Sequence, residues 1–139
     1  MDLHDRLPGE LVTVHNLDVD LQLVPPNEPG FSRRPDMIII EESVSHQASD
    51  EGRMVRASEV LVVVELVTAD TRRIDHVHKR QDYADAGIPN YWIIDIDEPI
   101  SLTVCRLTDE FGYVDDQVAT GTFRTEVPFP VEIDLGRLV

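Results

Sequence analysis

The stretch VLVVVELVTADTRRIDHVHK, Val60 to Lys79, decides how this chain is read. It opens on five apolar residues, Val60 to Val64, four of them valine. β-Branched side chains fit a pleated buried surface better than a helix, so the run predicts an interior strand. Glu65 interrupts it, and Leu66 and Val67 resume it. From Thr71 to Ala86 there is no proline or glycine and there are many charges, a composition that predicts a helix, with Thr68 or Asp70 able to cap its start. Gly87 stands where a helix C-cap glycine belongs, and Pro89 prevents continuation. YWIIDID, Tyr91 to Asp97, is then a second strand. A strand, a helix and a strand in this order predict a parallel pair joined by a right-handed crossover.

Working outward, Asp36 to Glu41 (DMIIIE) is a short strand, covered on both faces, that follows Arg33, Arg34 and Pro35. Val19 to Val24 (VDLQLV) alternates apolar and polar residues like a half-exposed strand and ends in the loop PPNEPG. Glu42 to Ala57 fits either a surface loop or a short helix. Ser101 to Leu107 pairs with the Tyr91 strand across a short connection, and Phe123 to Val127 and Val131 to Leu135 supply late strands. The fold class is therefore α/β or α+β, a mixed sheet in a single domain spanning residues 1–139.

Composition narrows the function. With 139 residues the chain can bury a core without metal or disulfide staples, and its single cysteine, Cys105, allows no internal bridge. The N-terminus has no basic segment followed by an apolar core, and no apolar run approaches the ~20 residues of a membrane helix. These features lead us to expect a soluble cytoplasmic protein with no membrane partner. The net charge of −15, from 27 acidic and 12 basic residues, argues against nucleic-acid binding over an extensive basic surface. It leaves room for local contact with phosphate through a metal.

Two acids stand beside buried positions: Asp36 at the start of the isoleucine strand and Glu65 near the end of the valine strand. A lone ionised carboxylate in an apolar place costs several kcal/mol or shifts its pKa until it is neutral. A divalent cation between two such groups removes that cost, and Mg²⁺ is commonly held by one or two carboxylates plus water. The plainer reading of such acids is a solvent-facing strand end, a helix cap or an arginine pair. Asp75, Lys79 and Tyr83 follow one another at i, i+4 steps and share a helix face. An exposed Asp75–Lys79 pair is the plain reading there; a lysine aimed at the strand end is the sharper one. His76 and His78 lie two apart and diverge on a helix, His46 has no supporting context, and Cys105, Tyr91 and Trp92 read as packing residues. Arg72 and Arg73 fit a phosphate contact or simple charge balance.

The ordered set of these residues resembles the Uma2 family of restriction-endonuclease-like proteins. Its elements here are Pro35-Asp36, Glu65-Leu66, the turn Thr68 to Thr71, Asp75, Lys79, Tyr83, Gly87-Ile88-Pro89, Tyr91-Trp92 and Asp95. The match runs from about Arg33 to Asp97, and the closing VEIDLGRLV is also similar to the family's C-terminus. The resemblance implies the PD-(D/E)xK fold, a mixed central sheet flanked by helices, and a metal-dependent endonuclease acting on nucleic acid, DNA in the first instance. It implies Asp36 and Glu65 as ligands of Mg²⁺ or Mn²⁺, with the backbone carbonyl of Leu66 as a further ligand. Val67 occupies the superfamily's lysine position; the resemblance implies that the helix lysine of the family, here Lys79, takes the charge-stabilising role, with Asp75 and Tyr83 orienting it. A homodimer is expected. An inactive nuclease-fold scaffold, or a dimeric interaction protein, is the alternative. The segment LHDRLPGELV resembles the end of a helix that precedes this region in the family, so the N-terminal part is expected to be shortened and to lack an acid that the superfamily often supplies there, with Glu10 the one residue able to substitute.

Overall fold

The computed structural model describes residues 7–24, 31–68 and 72–137, with side chains described outside 72–77 and 137. In chain order the elements are β1 (Leu11–His15), β2 (Val19–Asp20), β3 (Ser32–Arg33), β4 (Met37–Glu41), α1 (Glu42–Glu51), β5 (Val55–Arg56) and a 3-10 turn at Ala57–Glu59. Then come β6 (Val62–Val67), α2 (Arg72–Asp85), β7 (Asn90–Asp95), β8 (Ser101–Thr108), β9 (Gly112–Thr120), β10 (Thr122–Thr125) and β11 (Val131–Asp134). Six strands form the central sheet in the order β1-β4-β6-β7-β8-β9. Only β6 and β7, joined through α2, run parallel, so the sheet is mixed. The small sheet β3-β2-β5 and the hairpin β10-β11 complete the fold.

The pleat sends alternate residues of β6 to opposite faces. Val62 and Val64 join Trp92, Leu102 and Val104 in a core with Phe123, Phe129 and Ile133 of the β10–β11 region. Val63 and Val67 join the other core, with Val19 of β2, Val55 of β5, and Tyr83 of α2. α2 ends on Gly87, which adopts a left-handed φ of 79°. The Gly87 N–H donates to Ala84 O (3.0 Å) and the Ile88 N–H to Tyr83 O (3.2 Å), which closes the last turn.

Several expectations needed correction. The described part of LHDRLPGELV is not helical: Leu7 to Glu10 turn, and Leu11 and Val12 open β1, which pairs antiparallel with β4 along its full length, while Leu3 to Arg6 lie outside the described residues. The isoleucines of β4 are buried, and a neighbouring strand satisfies that edge's backbone groups as a helix could not. The strand expected over Val19 to Val24 is cut to Val19–Asp20, because Gln22 has a left-handed φ of 57° and its N–H donates to Asp20 Oδ1 at 2.9 Å. Glu42–Glu51 is helical, although only Ala48 of that helix is buried. The nine-residue edge strand β9 lies outside the strands expected from the sequence, because exposed residues dominate it.

Candidate active site

The site follows from the register of β4 on β6. Met37 lies opposite Val64, the last pair of that ladder, and Asp36, the residue just before β4, reaches β6 beside Glu65 through its carboxylate. Alternation along β6 places Glu65 on the face of Val63 and Val67, the face that α2 covers. The charge of Asp36 acts against that of Glu65, and the surrounding contacts temper that repulsion. Asp36 Oδ2 accepts the N–H of Leu66 at 2.7 Å. Glu65, only 2% exposed, is held through both oxygens from α2. Lys79 Nζ lies 3.1 Å from Oε2, and the Tyr83 hydroxyl donates to Oε1 at 2.8 Å. Lys79 and Tyr83 are one turn apart, which is how a single helix face reaches both oxygens of one carboxylate.

Burial dominates the electrostatics of Glu65. It pushes the carboxyl pKa up to about 7, against the opposing pull of Lys79 and the Tyr83 hydrogen bond, while the charge of Asp36 adds to the rise. Burial and the neighbouring Glu65 raise the Tyr83 hydroxyl, so Tyr83 stays a protonated donor. Tyr91 meets the Tyr83 ring edge-on at 5.5 Å and fixes its plane.

Of the residues singled out from sequence, Asp36, Glu65, Leu66, Lys79 and Tyr83 converge here. Asp75 lies on α2, but its side chain falls outside the described residues, as do those of His76, Arg72 and Arg73. Val67, two residues after Glu65, is buried among apolar neighbours. The carbonyl of Val67 accepts the N–H of Ile96 on the β7 side. Alternation along the strand therefore directs the backbone groups of Leu66 to the β4 side, toward Asp36. His46 sits on α1 beside Glu42 at 3.3 Å, His78 is exposed, and Cys105, Tyr91 and Trp92 are buried in the cores.

Sequence reasoning missed the braces on α2. Arg33 Nε donates to Asp82 Oδ2 at 2.6 Å, tying the helix to the small sheet. On the other side Arg80 donates to Tyr113 O (2.8 Å) and Asp115 Oδ1 (3.1 Å), beside Cys105. These contacts join residues more than 30 positions apart, so no local pattern signals them.

A hard divalent cation fits this donor set. The oxygens come from two carboxylates and a strand carbonyl, and Mg²⁺ needs one or two carboxylates, with water completing its shell. A cation would also relieve the repulsion between Asp36 and the buried Glu65. Among the described residues no three His, Cys, Asp or Glu side chains cluster as a metal cage, which a largely hydrated Mg²⁺ does not require.

The sequence model of the Uma2 family, described as "Putative restriction endonuclease", matches residues 3–136. The chain belongs to this family, which suggests a nuclease function and a nucleic-acid substrate, and the mixed sheet agrees with its restriction-endonuclease-like fold. No curated protein matches the chain at a significant level. No described helix is long and apolar enough to cross a membrane.

Proposed function

We propose that this Uma2 protein is a metal-dependent endonuclease that hydrolyses phosphodiester bonds, those of DNA in the first instance. One observation carries the reading: Glu65, buried and with a raised pKa, is gripped by Lys79, and the Asp36 carboxylate sits on the N–H of the next residue, Leu66. A core that needed only packing would place a valine there, as it does at Val63 and Val67.

Asp36, Glu65 and the Leu66 carbonyl would hold Mg²⁺ or Mn²⁺, which supplies a bound water of lowered pKa and positive charge for a phosphoryl oxygen. The other roles belong to the chain. Tyr83 fixes the rotamer of Glu65 by holding Oε1. The Leu66 N–H orients Asp36, leaving lone pairs of that carboxylate for other contacts. Lys79, one quarter exposed, keeps its ammonium at the mouth of the carboxylate pair, where it stabilises charge that develops on phosphate.

The test is cleavage of plasmid DNA with Mg²⁺ or Mn²⁺. Asp36→Ala, Glu65→Ala and Lys79→Ala should each lower the rate by roughly 100-fold or more, the scale of losing one transition-state contact. A wild-type protein that cleaves with neither metal, and binds neither in calorimetry, sinks the proposal. A second reading has its own support: Lys79 already neutralises Glu65 at 3.1 Å. On that reading the ion pair replaces the metal, and the fold serves as a homodimeric scaffold.

A further inference from the structure

A protein with 27 acidic and 12 basic residues has to place its positive charge deliberately if it is to approach a polyanion. Most of the arginines whose contacts are described are spent internally. Arg53 uses Nε, Nη1 and Nη2 on Glu51, Glu59 and the Met54 carbonyl. Arg34 grips Asp18 with Nε and Nη2, and Arg80 uses both Nη groups on β8 and β9. Arg33 differs. It gives only Nε, to Asp82, and neither of its Nη groups meets a partner among the described residues.

Its location makes that spare capacity informative. Arg33 is three residues before Asp36, and Asp82 immediately precedes Tyr83, which holds Glu65. The guanidinium thus bridges the strand that leads to one carboxylate and the helix that orients the other. The Arg33 and Asp82 side chains are 30% and 23% exposed, so the pair is reached by solvent and is not sealed in the core. A guanidinium with one edge unspent can take two phosphate oxygens in parallel.

We propose that Arg33 is a phosphate-binding residue of the substrate site, held in readiness by Asp82, and that its Nη groups contact the nucleic-acid backbone beside the Asp36–Glu65 pair. The inference rests on the nuclease reading and adds a substrate contact to it. Asp82 is then a positioning residue that competes with phosphate for the guanidinium. A phosphate contact carries no base information, so the effect of losing it is uniform across sequences.

The two members of the pair are predicted to behave oppositely, which separates this role from a plain structural ion pair. The experiment measures fluorescence anisotropy of a labelled DNA duplex with the full chain in Ca²⁺, over a salt series, together with melting curves and Mg²⁺-dependent cleavage. Arg33→Gln should weaken binding about 10-fold and lower the salt slope by about one. Asp82→Asn should tighten binding about 3-fold, although both variants lose the same ion pair and a similar amount of Tm. Arg33→Lys keeps the charge but not the fork, and is expected to fall between Arg33→Gln and wild type; it carries the test if the glutamine variant does not fold. If Arg33→Gln and Asp82→Asn shift binding in the same direction, or Arg33→Gln leaves it unchanged while wild type binds and cleaves, the inference fails and the nuclease reading stands. If wild type neither binds nor cleaves, both fail.

Discussion

The two faces of one sheet follow different rules. On the β10–β11 side, Val62, Val64 and Trp92 pack against Phe123 and Phe129, with the Trp92 ring 5.3 Å from Phe123 in an edge-on contact. That face is dry, and the Trp92 indole N–H has no partner there among the described residues. On the α2 side the same strands present Glu65, Tyr91 and Cys105, and α2 meets them with Tyr83, Lys79 and Arg80. One face holds the fold together through apolar area; the other accepts the cost of a buried carboxylate. Alternation within VVVELV makes both possible in a single strand, since a residue's parity decides which rule it obeys.

The contrast can be broken from either side. The largest stability effect belongs to the dry face: Phe123→Ala should cost about 3–5 kcal/mol in urea unfolding, because it leaves a cavity against Trp92. A cost below about 1 kcal/mol would show that the hairpin is a lid rather than part of the core.

The polar face should respond to pH instead. The folded pKa of Glu65, about 7, exceeds its ordinary 4.5, so the folded state holds the proton more tightly than the unfolded one. The contribution is therefore complete below pH ~4.5, falls as pH rises toward 7 and is flat above, a loss of up to about 3 kcal/mol. Glu65→Gln should remove that slope when wild type and variant are melted in EDTA from pH 4.5 to 8. Parallel pH profiles would mean that Glu65 is not buried as described. The smallest effect is expected at Arg124, 70% exposed and paired with Glu132 on the hairpin's outer surface. Arg124→Ala should stay within about 0.5 kcal/mol of wild type in the same assay.

Legibility in the sequence followed the same division. Buried central strands announce themselves by uninterrupted β-branched runs, so β4, β6 and β7 were placed within two residues. β9 was invisible because an edge strand alternates weakly and carries Asp115 and Asp116 among its exposed residues. α1 was undecidable because a helix that buries only Ala48 has almost no apolar stripe. The carboxylates and Lys79 were readable as an ordered motif, and the i, i+4 spacing put Tyr83 on the right face. Arg33 and Asp82, 49 positions apart, required the fold before their pairing had any meaning.

The central claim is that Asp36 and Glu65 form a cation site and not merely a repelling pair quenched by Lys79. The most direct measurement is the anomalous signal of a crystal soaked in Mn²⁺. The account predicts an ion within about 2.0–2.3 Å of an oxygen of each carboxylate, with the Leu66 carbonyl at similar range. Lys79 Nζ still seated on Glu65 Oε2, with no manganese peak at saturating metal, would contradict it.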